Sequence, residues 1–349
     1  MIEDAMLLKR PDFYSFVKFA GLSTFSGLVT HYLMNPVEKK LVDERNVLIA
    51  TGCDSGLGYS IAIHCHEKLN ISVIACVQHL KSPGAEKLRN MFEKSKRFHL
   101  VELEITKDDS IDNVRKYVQN FFERNEDLEF TALVNNCGIM IFGETEWLTN
   151  RMIESQINVN LLGTMKLTHA MLPLARRYHT RIINVTSHCG IQCLPTLAIY
   201  GATKAGLASF TECLRMEMKP HGVDVVNFIP GSFWKNSNLA SAQLKHSMEM
   251  KENFSEEQLN YYGDHFDRMS LHLSALSGER SPSLLEDENI MRTFEEALLE
   301  VPAKSRYICE PWRYKWYHFL FKITPTNVRD WLVKKFTALP QFEPKAIKN

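Results

Sequence analysis

The stretch that most restricts the fold is 46–69. A short β-rich run, VLIA at 47–50, enters the glycine-rich turn TGCDSGLG at Thr51 to Gly58 and leaves it as a helical pattern over Tyr59 to Leu69. A strand passing through glycines into a helix brings backbone N–H groups and a helix N-terminus to one point, a ready cradle for a pyrophosphate. Gly52, Gly56 and Gly58 mark that cradle, and the unit opens an α/β pattern.

The pattern continues along the chain. A second strand covers Ile71 to Val77, a helix opens at Ser82-Pro83, a third strand (HLVELEI) reaches Glu104, and a helix spans Asp108 to Arg124. The fourth strand, Phe130 to Val134, runs into Asn135-Asn136-Cys137-Gly138. A long helical region follows from Glu154, with Asn160 inside the run VNLLG. Asn lowers helix propensity, so Asn160 calls for a special role such as holding a water. At 349 residues with 45% hydrophobic side chains, there is room for one large α/β domain with extensions. Lys+Arg and Asp+Glu are both 41, which leaves no basic surplus and argues against a nucleic-acid partner. The eight cysteines form no CxxC pair, so reduced thiols and no metal site are expected.

The chemistry concentrates between Arg181 and Lys204. The apolar strand of Ile182, Ile183 and Val185 delivers Ser187 at its tip; Gly190 and Pro195 break the loop; a helix opens near Tyr200 and runs to Lys219. Tyr200 and Lys204 are four apart and share one helix face. A nearby ammonium favours phenolate, so Lys204 is expected to bring Tyr200 from its usual pKa of about 10 toward the working range of an acid–base catalyst.

With Ser187 thirteen residues before the Tyr of Tyr-x-x-x-Lys, this segment resembles the active-site region of the short-chain dehydrogenase/reductase family. TGCDSGLG resembles that family's TGxxxGxG turn and Asn135 to Gly138 its NNAG, while Asn160 and Pro230-Gly231 match its catalytic Asn and its PG turn. The resemblance covers roughly Val47 to Gly231 and is nearest the branch of retinol, 17β-hydroxysteroid and 3-hydroxybutyrate dehydrogenases. It implies a Rossmann-like doubly wound parallel sheet and NAD or NADP held by Gly52, Ser55, Gly56, Leu57, Gly58, Glu104, Asn136, Gly138, Tyr200, Lys204, Pro230 and Gly231. Tyr200 would be the general acid/base, with Ser187 orienting the substrate oxygen. Lys204 would bind the nicotinamide ribose, and Asn160 would hold a relay water. Departures are Glu104 for the usual Asp, Cys137 for Ala, and Lys235 or Asn236 where a Thr is usual. Val77, Gln78 and His79 end the second strand without a marker for either cofactor, and the absence of Arg or Lys before Lys81 tilts the choice to NAD. His188 reads as a pocket-wall or core histidine.

The domain is expected over 46–310, with a lid at 232–280 whose Phe233, Trp234, Tyr261, Tyr262, Phe266 and Met269 suit a hydrophobic ligand. Phe13 to Met34 has the length of a membrane helix but carries Lys18 and His31, so 1–45 reads as a membrane-associating segment and linker, against a soluble packed helix. The extension 311–349 interleaves aromatics (Trp312, Trp316, Phe321, Trp331) with lysines, suited to a membrane interface. These features imply a lipophilic, steroid- or retinoid-like alcohol as substrate. They also imply an endoplasmic reticulum membrane enzyme, with the mitochondrion as the alternative and homo-oligomers open to it. The competing readings are a 3-hydroxybutyrate-type dehydrogenase, an inactive cofactor-binding scaffold and a lipid carrier.

Overall fold

The computed structural model describes residues 37–231, 237–278 and 281–343. The main unit, from Leu41 to Leu299 and again from Ala303, is built on seven parallel strands: β1 (Asn46–Thr51), β2 (Ser72–Val77), β3 (Phe98–Glu102), β4 (Glu129–Asn135), β5 (Arg181–Val185), β6 (Val225–Ile229) and β7 (Arg306–Ile308). They lie in the order β3-β2-β1-β4-β5-β6-β7. The order reverses between β1 and β4, and in open parallel sheets ligands bind at such a switch point, outside the carboxyl ends of the strands.

Period-two alternation sorts each strand between two faces. Leu48, Ala50, Val73 and Ala75 pack with α1 (Gly56–Glu67), α2 (Pro83–Met91) and α9 (Glu288–Leu299). Val47, Ile49, Ile74 and Leu133 pack on the other face with α3 (Asp108–Arg124), α5 (Thr164–Tyr178) and α6 (Ala198–Met218). Both sides are covered, so the strands read as nearly continuous apolar runs. Ser82 caps α2 by accepting from the Ala85 N–H, with Pro83 in its first turn.

Several boundaries move. The first helix begins at Gly56 rather than Tyr59, because it takes its first turn directly from the glycines. The region expected from Glu154 begins as α4 (Asn150–Ile157), capped by Thr149, and then widens into a π-helical stretch, Asn158–Gly163, before α5. Past β6 lie α7 (Gln243–Glu252) and α8 (Glu256–Ser274), the latter opened by a capping box between Ser255 and Gln258. Past β7 come α10 (Trp312–Ile323) and α11 (Thr326–Thr337). A second, small unit pairs Glu38–Lys39 antiparallel with Glu300–Val301. Among the described residues no helix is long and apolar enough to cross a membrane; the expected anchor at 13–34 lies outside them, as do Phe233, Trp234, Lys235 and Asn236.

Candidate active site

The glycine turn is shaped by close backbone approach. A Cβ on Gly58 would collide with the Gly52 carbonyl oxygen and lie 2.5 Å from Asn136 Nδ2. That Asn136 amide donates to the Thr51 and Gly52 carbonyls (2.9 and 3.2 Å), while Thr51 Oγ1 accepts from the N–H groups of Asn136 and Cys137 (3.0 and 3.1 Å). The ends of β1 and β4 are thereby laced together, and the N-terminus of α1 is held toward the cleft. Ser55 is the N-cap of α1 and makes no side-chain cap bond.

At the end of β2 the structure supplies the acidic residue that the strand sequence lacks. Asp54 comes from within the glycine turn, and its carboxylate accepts from the Gln78 N–H (2.8 Å) and the Ser82 hydroxyl (2.6 Å). Gly84 makes this approach feasible, since a Cβ there would collide with the Asp54 carbonyl. Glu104 lies just past β3 and accepts from Gln78 Nε2 (2.9 Å) and Thr106 Oγ1 (2.8 Å). Burial works to raise its carboxyl, but these donors outweigh it and hold the group below the usual range.

The Ser, Tyr and Lys converge as expected. Tyr200 lies in the first turn of α6, and Lys204 Nζ is 5.8 Å from its ring centroid. Ser187 leaves β5 and caps a 3₁₀ turn, its Oγ accepting from the Cys189 N–H at 3.2 Å. The electrostatics differ from expectation. Burial pushes the Tyr200 phenol well above its usual value, with Cys189 adding to the rise and the Ser187 hydrogen bond opposing it. Burial also pushes Lys204 down to about 8. Its ammonium is directed at the Val185 carbonyl (2.9 Å), so it does not offset the desolvation of the phenol.

Asn160 is fully buried on the π-helical stretch. Its Oδ1 accepts from the Ile139 N–H (2.8 Å), and its Nδ2 donates to the Ile139 carbonyl (2.9 Å) and to Thr203 Oγ1 (3.2 Å). These bonds tie the loop after β4 to α6.

A cavity of about 700 Å³ connects these groups. Gly52, Ser55, Leu57, Glu104, Asn136, Gly138, Ser187, Tyr200, Lys204, Pro230 and Gly231 line it; Gly56, Gly58 and Asn160 do not. Of the expected lid residues, Phe233 and Trp234 lie outside the described residues, and Tyr261, Tyr262, Phe266 and Met269 do not line it. Phe266 and Met269 are buried against Ile141, Trp147 and Met152 in a separate cluster, the Tyr262 hydroxyl donates to Glu146 (2.7 Å), and Tyr261 is exposed. α8 spends its apolar face on this subsidiary core. The aromatic wall comes instead from Tyr314 and Phe321 on α10 and Phe336 on α11, beside Leu194, Ile139 and Met140. Their sequence signal was the aromatic C-terminal stretch, read there as a membrane face. Asp54 was equally visible, as the Asp inside TGCDSGLG.

The cleft fits a dinucleotide. It joins a glycine cradle at a helix N-terminus to a buried lysine, and the Thr186 hydroxyl, buried on its wall, has no hydrogen-bond partner among the described residues. The model of the short chain dehydrogenase family matches residues 46–243. Estradiol 17-beta-dehydrogenase 2 of Mus musculus is 31% identical over 313 residues, 88% of this chain and 78% of that one. Mitochondrial D-beta-hydroxybutyrate dehydrogenase of Bos taurus is 32% identical, covering 79% of each chain, and retinol dehydrogenase 7 of Mus musculus is 33% identical over 80% of this chain and 85% of that one. Together with the parallel sheet and the Ser187, Tyr200 and Lys204 convergence, these matches place the chain in the short-chain dehydrogenase/reductase family, as an NAD(P)-dependent oxidoreductase acting on CH–OH groups.

Proposed function

We propose that the enzyme interconverts the alcohol and carbonyl forms of a lipophilic, steroid- or retinoid-like substrate, with NAD as the preferred cofactor. The observation that carries the reading is the aromatic wall of Tyr314, Phe321 and Phe336 on the same cavity as Ser187 and Tyr200. Relatives named for estradiol and for retinol support it. A relative named for D-beta-hydroxybutyrate makes a small hydroxy acid the second reading. Against that reading, the described lining residues include no Arg and no Lys besides Lys204 to pair a carboxylate. The NAD preference rests on Asp54 and Glu104 at the end of β2: a ribose 2′-hydroxyl can donate to a carboxylate, whereas a 2′-phosphate would meet like charge.

In this reading the nicotinamide supplies hydride exchange with the substrate carbon. Tyr200 exchanges the proton with the substrate oxygen, and Ser187 donates a hydrogen bond to that oxygen. With the dinucleotide bound, Lys204 would hold the nicotinamide ribose, and its positive charge would favour phenolate character on Tyr200. Asn160 Oδ1 has a second lone pair with which to hold a relay water. The outer faces of α10 and α11 expose Trp312, Trp316, Phe319 and Trp331 beside Lys315, Lys322 and Lys334; this surface, with 1–45, holds the enzyme at an endoplasmic reticulum membrane. The test is a comparison of kcat/KM for a steroid alcohol, retinol and 3-hydroxybutyrate with NAD and with NADP, followed by nicotinamide absorbance. Turnover of 3-hydroxybutyrate far above the lipophilic alcohols would refute the substrate reading, and a preference for NADP would refute the cofactor reading.

A further inference from the structure

The cavity carries a polar cluster that hydride transfer does not use. His188 comes from the 3₁₀ turn after Ser187, Glu310 follows β7, and His318 lies on α10. His318 Nδ1 is 2.5 Å from Glu310 Oε2, and His188 Nδ1 is 3.7 Å from the same oxygen. The imidazole centroids are 4.5 Å apart with the rings tilted by 31°. A carboxylate only accepts, so His318 Nδ1 carries the proton of its contact. All three side chains are largely buried and all three line the cavity. His188 Nε2 is buried with no hydrogen-bond partner among the described residues.

Three titratable groups from three elements, set into a wall otherwise built by Tyr314, Phe321 and Phe336, are costly to bury unless something satisfies them. Each of the three side chains keeps some exposed surface, 23% for His188, 12% for Glu310 and 20% for His318, so polar atoms of the cluster are within reach of a ligand in the cavity. The ligand chemistry follows from the cluster. A carboxylate would meet the Glu310 carboxylate and find no Arg, and no Lys besides Lys204, among the described lining residues. An alkyl or aryl group would displace water from the cluster and return no hydrogen bond. A hydroxyl both donates and accepts, so it can bond an imidazole nitrogen in either protonation state and still accept from a neighbour.

We infer that His188, Glu310 and His318 form a recognition point for a second hydroxyl of the substrate, separate from the reacting oxygen at Ser187 and Tyr200. The enzyme is thereby selective for lipophilic diols or hydroxyketones over mono-alcohols. This rests on the lipophilic-alcohol reading of the same cavity and narrows it.

The experiment uses the full chain with NAD and a matched pair: a steroid diol and the analogue lacking the hydroxyl remote from the reacting carbon. A site built around a hydrogen bond discriminates against a substrate that cannot make it, so wild type should favour the diol in kcat/KM by about 10- to 100-fold. In Glu310→Gln and His318→Asn the ratio should fall toward one, a change that general destabilisation would not cause because it affects both substrates alike. Equal kcat/KM for the pair in wild type overturns the inference while leaving the lipophilic-alcohol reading intact, and this comparison needs no variant to fold. A ratio unchanged in both variants also overturns it. Turnover of 3-hydroxybutyrate but of neither steroid overturns both readings. Loss of the preference on adding a chelator would make the cluster a metal site and overturn the hydroxyl assignment.

Discussion

Lys204→Met should stabilise the cofactor-free protein while abolishing turnover. Burial lowers the Lys204 ammonium from 10.5 to about 8, and a drop of that size corresponds to about 3 kcal/mol of differential interaction. Below pH 8 both folded and unfolded states hold the proton, so the folded state bears the whole cost. Between about 8 and 10.5 the unfolded chain binds more protons than the folded one, so raising the pH relieves the cost; above 10.5 it is gone. Methionine fills similar space without charge. It also gives up the bond to the Val185 carbonyl, a loss of about 1 kcal/mol.

The net expectation is stabilisation by about 2 kcal/mol at pH 7, or roughly 4 °C in Tm. The assay is urea unfolding of both proteins without cofactor from pH 6 to 10. The stability gap should be widest at pH 6 to 7 and should shrink steadily above pH 8, even turning against the variant once only the lost hydrogen bond remains. Taking the difference between the proteins cancels every other titrating group that the substitution leaves alone. A variant less stable than wild type at pH 6, or a gap that does not change with pH, would show that Lys204 is not held at a cost and refute the reasoning.

Tyr200→Phe should lower kcat by about 10²- to 10⁴-fold with dinucleotide affinity nearly unchanged; full activity would remove Tyr200 from the chemistry. Gly58→Ala forces a methyl against the Gly52 carbonyl and the Asn136 amide, so dinucleotide binding measured by fluorescence titration should weaken at least about 10-fold, and unaltered affinity would show that the turn yields at no cost. Phe336→Ala should reduce kcat/KM for a lipophilic alcohol while leaving the KM for NAD alone, a split that a purely structural role would not produce. Trp316→Glu with Trp331→Glu should reduce co-sedimentation with phosphatidylserine-containing vesicles, and undiminished binding would place the membrane contact elsewhere.

Features built from contiguous residues were legible before the structure. The central strands β1, β2 and β4 carry nearly continuous apolar runs because both of their faces are covered, whereas the short edge strand β7, with only Tyr307 buried, gave no such signal; α3 was readable to the residue because its apolar stripe is regular. The glycine turn, Ser187, Tyr200 and Lys204 stand at fixed spacings on elements whose directions follow from that pattern. Asp54 and the partners of Asn160 were less legible for the opposite reason: the contacts reach far along the chain, to Gln78 and Ser82 from the first and to Ile139 and Thr203 from the second.

The wall of the cavity was misassigned between two aromatic stretches that look alike in pattern. Apolar periodicity states that a helix buries a face, not what the face is buried against. The polar residues of the two helices bind different parts of the chain. On α8, Tyr262 and His265 find their partners in Glu146 and Glu144, the segment that leads into Trp147, and this stitches the helix to the cluster around that indole. On α10, His318 shares Glu310 with His188, and a ring nitrogen beside them is left over. What separates them is the cavity itself: among the described residues it is lined by Tyr314, His318 and Phe321 of α10 and Phe336 of α11, and by no residue of α7 or α8.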